Sequence, residues 1–157
     1  MFFEPCLVFV YTSKVHNPKF LGRTVVDGKF ASLMPFWRNG VVHFNLTSVA
    51  HTPLGNFKDS KQARAFCDAF EADTVKMAQK RALFEEEARM FFANFDQDYE
   101  YKGHYISTKT KLYDASANRE CICDVIMGGR VMQIFGGKIT GMFHAEEAMY
   151  SWLGLED

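Results

Sequence analysis

The sequence predicts an α+β fold, in which an antiparallel sheet built from β-hairpins packs against one long central helix and a short C-terminal helix. Strand-like runs are joined by two-residue turn signals, and one long segment has neither Gly nor Pro. The order is strands, helix, strands, helix, which favours antiparallel pairing over alternating β-α-β units. With 157 residues, 48% of them apolar, the chain has the size of one globular domain. We therefore predict a single α+β domain over residues 1–157.

The first group of strands is predicted over residues 6–47. Cys6–Ser13 is an apolar run rich in β-branched and aromatic residues, as expected of a buried strand. Asp27-Gly28 and Asn39-Gly40 then separate further strand-like runs. A two-residue type I′ turn needs positive φ at both central positions, which Asn, Asp and Gly tolerate. The pattern therefore predicts two hairpins, followed by a linker over residues 51–57.

The helix is predicted over residues 60–95. Asp59, followed three residues later by Gln62, is typical of a helix N-terminus. Apolar residues recur at every seventh position and form one stripe. Unbroken, the helix would measure about 54 Å, which exceeds the width of a domain of this size. It therefore either breaks near Asp73-Thr74 or projects and pairs with another subunit. The residues of the seven-residue repeat are Ala63, Phe70, Met77, Phe84 and Phe91.

The second group of strands is predicted over residues 98–143, and the closing helix over residues 144–153. Lys102-Gly103 and Gly128-Gly129 are interpreted as hairpin turns, and a last strand follows Gly136-Gly137. The glycine pairs do not match the spacing of a phosphate-binding loop. They therefore favour turns over a nucleotide site.

Charge alternates along the chain. Residues 1–66, 67–100, 101–143 and 144–157 carry net charges of +5, −5, +3 and −4. The acidic block, residues 67–100, overlaps most of the predicted helix. An acidic helix can dock on a basic partner. The primary hypothesis is a non-catalytic protein-binding or regulatory domain, such as a small viral or mobile-element accessory protein that inhibits or modulates a host protein. Self-association of acidic helix with basic sheet is the related alternative. The predicted contact residues are Asp73, Glu85, Glu86, Glu87, Asp96 and Asp98.

The second hypothesis is a single-stranded nucleic-acid or anionic-ligand site on the sheet. Basic side chains interleaved with aromatic ones can meet phosphates and stack on bases. The sequence pI near 6.5 is low for a dedicated nucleic-acid binder. The predicted residues of this face are Arg23, Lys29, Trp37, Arg38, Lys109 and Lys111.

The third hypothesis is a small-metabolite enzyme in which His104 and a nearby carboxylate, Asp98 or Glu100, exchange protons. No motif fixes a reaction, so no residue is assigned as catalytic. Cys121 and Cys123 would share one strand face, but suitable further ligands are missing, so no metal site and no cofactor are predicted. The few cysteines and the lack of a targeting or membrane segment indicate reduced thiols in the cytoplasm.

Overall fold

The computed structural model describes residues 1–15, 21–26, 30–111, 121–136 and 141–155. The chain divides into two compact units, Met1–Tyr113 and Asp114–Asp157. The predicted α+β class with an antiparallel sheet is confirmed. A single domain over residues 1–157 stays a prediction.

The first unit contains a five-stranded antiparallel sheet with β1 beside its edge strand β5. Its strands are β1 (Phe2–Ser13), β2 (Arg23–Thr24), β3 (Ala31–Arg38), β4 (Val41–Ser48) and β5 (Tyr99–Lys111), in the order β2-β3-β4-β1-β5. β1 begins four residues earlier than predicted. The predicted linker over residues 51–57 also runs along β1, where the Leu7 N–H donates to the Thr52 carbonyl at 2.8 Å and the Phe57 N–H to the Phe3 carbonyl at 2.8 Å.

The hairpin at Asn39-Gly40 is confirmed. Both residues have positive φ, 52° and 76°, as a type I′ turn requires. Arg38 pairs with Val41 across the turn. The other predicted turn, Asp27-Gly28, lies outside the described residues.

A hairpin at Lys102-Gly103 was the wrong prediction for this segment. β5 runs without interruption through both residues and pairs with β1 along its length. The register shifts opposite Val10 and Tyr11, so Lys102 is the extra residue of a β-bulge. Gly103 has a φ of 149°, which side chains disfavour. The glycine therefore serves a bulge instead of a turn.

The helical segment forms α1 (Ser60–Ala72), α2 (Thr74–Phe91) and the short α3 (Phe95–Asp98). The Asp59 carboxylate caps α1 by accepting from the Lys61 N–H at 2.9 Å. Asp73 lies between α1 and α2, and its carboxylate accepts from the Lys76 N–H at 3.0 Å. Its own N–H donates to the Phe70 carbonyl at 3.2 Å. One residue thus ends the first helix and begins the second.

The core lies between α2 and one face of the sheet. Leu7, Phe9 and Tyr11 alternate along β1 and are almost wholly buried. Phe9 meets Phe84 of α2 edge to face, with ring centroids 4.9 Å apart. Burial of each large apolar side chain is worth roughly 1.5–3 kcal/mol. Much of the aromatic content therefore holds α2 against the sheet.

The second unit contains a β6–β7 hairpin, Ile122–Ile126 paired with Val131–Phe135, and helix α4 (Gly141–Leu153). Gly128 and Gly129 form its turn with φ of 67° and 87°, as predicted. The strand predicted to reach residue 143 and the helix predicted from 144 are wrong at their border, because residues 141–143 are already helical. Residues 138–140 lie outside the described part. None of the described helices combines the length and apolar character needed to cross a bilayer.

Candidate functional site

The bulge in β5 brings Tyr101 and His104 to the same face of the sheet. In a regular strand, residues three positions apart point to opposite faces. Here Lys102 is an extra residue of the bulge, so Tyr101 and His104 point to the same face. Tyr101 is paired with Tyr11, and His104 with Phe9, both of which face the core. The Tyr101 hydroxyl lies 2.9 Å from Nδ1 of His104, within hydrogen-bonding distance. The bulge therefore assembles a tyrosine–histidine pair that an unbroken strand register would separate.

This pair lines an open cleft of about 210 Å³ between the helices and β5. Met77 and Ala78 supply apolar wall, and Arg81 supplies a positive charge. The helix break at Asp73 places the end of α1 and the start of α2 at the same rim. The lining residues are Glu71, Thr74, Met77, Ala78, Arg81, Tyr101 and His104. An apolar wall with a few converging polar groups is the usual composition of a small-molecule site.

Arg81 is held in the cleft from two sides. Its guanidinium carbon lies 4.5 Å from the centroid of the Tyr101 ring, a cation–π distance. Its Nε lies 3.4 Å from Oε1 of Glu85, one helical turn away. The same Glu85 oxygen accepts from the buried Tyr11 hydroxyl at 2.9 Å. The cation of the cleft is therefore positioned before any ligand arrives.

A second arginine extends this network away from the cleft. Arg89 lies 3.3 Å from Oε2 of Glu85 and donates two hydrogen bonds to Asp96, at 2.7 Å and 3.0 Å. The bidentate contact raises the pKa of Arg89 and lowers that of Asp96. Glu85 is thus shared between Arg81 and Arg89.

Both tyrosines of the network stay protonated at neutral pH. Burial raises the pKa of Tyr101, and the nearby Arg81 lowers it in part. Burial, followed by the charge of Glu85, raises the pKa of Tyr11 well above its usual range. Each hydroxyl therefore keeps its proton and can donate it in a hydrogen bond.

The predicted acidic contact residues are largely occupied inside the molecule. Glu85 and Asp96 belong to the arginine network, and Asp73 caps α2. Glu87 is only 4% exposed, and its Oε2 accepts from the Ser48 hydroxyl at 2.5 Å. Glu86 is exposed on α2, and Asp98 ends α3. The six residues do not form one continuous acidic surface.

Among the residues that the structure describes, Glu87 is one of two buried carboxylates. Nε2 of His51 lies 3.7 Å from its Oε2, and its Oε1 has no hydrogen-bond partner among the described residues. The other buried carboxylate, Glu4, lies 2.6 Å from the Lys111 ammonium. Glu87 is therefore the less completely paired of the two.

The predicted basic face is divided by the strand register. Lys109 and Lys111 pair with Glu4 and Phe2, on the sheet face opposite Leu7 and Phe9. Arg38, at the end of β3, shares that face by alternation with Met34 and Phe36. Arg23 pairs with Leu33, and Trp37 with Val42, so both lie on the core side. Lys29 lies outside the described residues.

His104 is in a cleft, as the enzyme hypothesis required, but its predicted carboxylate partners are not. Glu100 pairs with Lys102 at 2.8 Å, and that contact lowers its pKa. Asp98 does not line the cleft either; the lining carboxylate is Glu71. Arg81 was missed altogether. Its spacing of four from Glu85, and that of Glu85 from Arg89, is a helix ion-pair signal that could have indicated it.

Comparison with known proteins points to an enzyme. The chain is similar to the FAD-dependent monooxygenase FPY4 of Fusarium mangiferae, with 37% identity over 149 residues, 95% of this chain and 38% of the relative. It is also similar to the FAD-dependent monooxygenase kojA of Aspergillus flavus and the probable FAD-dependent monooxygenase kojA of Aspergillus oryzae. Each is 26% identical over 148 residues, 92% of this chain and 34% of the relative. No family model and no solved structure matches.

The chain spans little more than a third of the length of the curated relatives it matches. Their names nevertheless overturn the primary hypothesis: a non-catalytic regulator or inhibitor of a host protein is wrong. Composition and charge could not reveal this, because an acidic helix face looks the same whether it meets a partner or its own arginines.

The cleft at His104 does not fit FAD itself. Sites for whole cofactors typically measure about 300–1,000 Å³, and the cleft at His104 is smaller. Flavin pyrophosphates commonly bind at a glycine-rich turn between a parallel strand and a helix. The strand pairs of the described residues are all antiparallel. The cleft has room for a substrate-sized ring, not for a dinucleotide.

Proposed function

We propose that this chain supplies the substrate-binding portion of an FAD-dependent monooxygenase, with FAD held by a separate portion. The substrate is a small planar molecule with an acidic hydroxyl group, such as a phenol or an enol. It binds in the cleft, and Arg81, Tyr101 and His104 contact its hydroxyl end. The observation that carries the proposal is the Tyr101–His104 pair beside a fixed guanidinium.

The size of the cleft supports a single ring. A cavity of about 150 Å³ accepts benzene, so about 210 Å³ accommodates one substituted ring. Met77 and Ala78 contact the ring, while the polar groups meet its substituents. Thr74 and Glu71 at the rim offer further hydrogen-bonding groups.

The polar groups favour the ionised hydroxyl. When the His104 Nδ1–H donates to the Tyr101 oxygen, the lone pair on Nε2 is available for the substrate proton. None of the described residues forms a hydrogen bond with that Nε2. The substrate O–H bond breaks, the proton moves to Nε2, and the oxyanion lies beside Arg81. Glu85 keeps the guanidinium in place during this transfer.

A cytoplasmic location is part of the proposal. All four cysteines are free thiols, and the Cys121 and Cys123 sulfurs lie 3.9 Å apart without a bond. Free thiols are usual in reducing compartments. The matched names of the relatives support the enzyme class but give neither substrate nor compartment.

The test uses 4-nitrophenol, whose ionised form absorbs visible light. Adding the chain at a pH where the probe is mostly protonated should raise the ionised fraction, with roughly tenfold preference for the phenolate, worth about 1.4 kcal/mol. Arg81→Gln and His104→Gln should remove the effect, whereas Lys80→Gln, on the same helix but outside the cleft, should keep it. Circular dichroism verifies folding. A wild-type chain that leaves the spectrum unchanged overturns the proposal.

A further inference from the structure

The second unit exposes an unusual amount of apolar surface. Among its 31 described residues none is buried, and 12 are large apolar side chains counted as exposed. The first unit exposes 13 such side chains among 103 described residues. Large exposed apolar patches mark interaction sites. The hairpin and α4 therefore present a surface of the composition expected at an interface.

The outward side of α4 carries most of that surface. Ala145 and Ala148 are its half-buried residues beyond the first position. The large apolar side chains point away from them and form the outer stripe of α4, which consists of Met142, Phe143, Met149, Tyr150 and Leu153. At 100° per residue these five positions fall within roughly 120° of the helix circumference. Glu146 lies in the same sector, where its Oε1 accepts from the Tyr150 hydroxyl at 3.5 Å. A stripe of that width normally faces a protein core.

The helix is fixed with this side outward. The Trp152 indole N–H donates to the Gly129 carbonyl in the hairpin turn at 3.0 Å. At the other end, a Cβ on Gly141 would lie 2.9 Å from Cβ of Cys121, so the helix start lies close to the strand start. α4 is thus hydrogen-bonded to the hairpin turn near its C-terminal end and lies close to Cys121 at its start, and a rotation that turns the outer stripe inward would break these contacts.

We infer that the outer stripe of α4 packs against the FAD-binding portion of the monooxygenase, an inference that rests on the proposed function. The match with FPY4 covers 95% of this chain, so it includes most of the second unit. More than half of each relative lies outside the match. In the relatives, the counterpart of α4 therefore shares one polypeptide with a larger portion that it can contact. That portion is the occupant to which the inference commits.

The experiment co-expresses the full chain with the part of Fusarium mangiferae FPY4 that lies outside the match, and isolates complexes on a tag carried by the chain. The expected product is a 1:1 complex that contains FAD, detected by its absorbance. Joint substitution Phe143→Glu and Leu153→Glu, at positions 64% and 53% exposed, should weaken the complex at least tenfold. The control is Val75→Glu with Met90→Glu on α2, at positions 65% and 69% exposed.

Loss of the complex with the α4 variant but not with the control supports the inference. No complex with the wild-type chain, or equal binding by both variants, overturns it. Sedimentation of the chain alone tests whether a second copy of the chain occupies the stripe. A dimer that the α4 variant dissociates would assign the stripe to that second copy and overturn the inference. Binding of 4-nitrophenol needs no partner, so failure of the cleft and failure of the docking surface are distinguished.

Discussion

Tyr101 and His104 meet at 2.9 Å only because one extra residue lies between them in the register of β5. The bulge depends on Gly103, whose φ of 149° is unfavourable for residues with a Cβ. The geometry of the cleft is therefore determined by a residue that contributes no side chain to it.

Gly103→Ala should cost about 1–3 kcal/mol of unfolding free energy through backbone strain. There is open space around the position, so a steric clash does not contribute. Urea denaturation measures the loss. Gly136→Ala is the matched control, since its surroundings are equally open and its φ is not positive. Equal stability of both variants would show that the bulge tolerates a Cβ.

Glu87→Ala should destabilise the protein by about 1–3 kcal/mol, because Ser48 loses the partner of a buried hydrogen bond. The neighbouring Glu86 is exposed, so Glu86→Ala should change stability by no more than about 0.5 kcal/mol. Denaturant midpoints of the two variants decide the matter. If they coincide, the Ser48–Glu87 contact adds nothing to stability.

Asp96→Asn should change how the protein responds to acid. The contact with Arg89 lowers the pKa of Asp96 in the folded state, so its stabilisation is present above the unfolded pKa of about 3.9 and is lost as pH falls through the folded value. Because the pair is largely exposed, the gain is at most about 1 kcal/mol. Melting temperatures of wild type and variant should differ at pH 7 and converge near pH 2. A melting-temperature difference that stays constant between pH 7 and pH 2 would contradict the assignment of the lowered pKa to the contact with Arg89. Asp68→Asn is the control.

Phe84→Ala should cost about 3–5 kcal/mol, as expected when a large buried aromatic side chain is removed. Phe84 is wholly buried and contacts Phe9 edge to face, whereas Phe91 on the same helix is 42% exposed. Phe91→Ala should therefore cost much less. Thermal unfolding of both variants provides the comparison, and similar melting temperatures would place the core elsewhere.

The residues of a short segment were sufficient to predict some elements of the fold. Asn39-Gly40 requires positive φ at both positions, and Asp59 caps a helix whatever its surroundings are, so both could be predicted from a few residues. Lys102-Gly103 shows the limit. A glycine with unusual φ suits a turn and a bulge equally, and only the pairing with β1, from a distant part of the chain, makes it a bulge.

The candidate site was predicted only in part, for the same reason. His104 was recognised by residue type, but its partners come from α2 and from a bulge that the sequence pattern does not reveal. Glu85 appeared as a surface charge, because its hydrogen bond from the Tyr11 hydroxyl depends on how α2 lies on the sheet. Pairing across the fold, and not local propensity, determines which charged side chains meet.

The position of β1 within the sheet also bears on how the protein folds. Among the strands of this sheet β1 comes first along the chain, yet Phe2 pairs with Lys111, more than a hundred positions later. Contacts between distant segments slow folding, since the loop must close before the pairing compensates. During translation the edge of β1 that pairs with β5 keeps its backbone groups unpaired until β5 has left the ribosome. Chaperone binding to the nascent chain should therefore concentrate on β1.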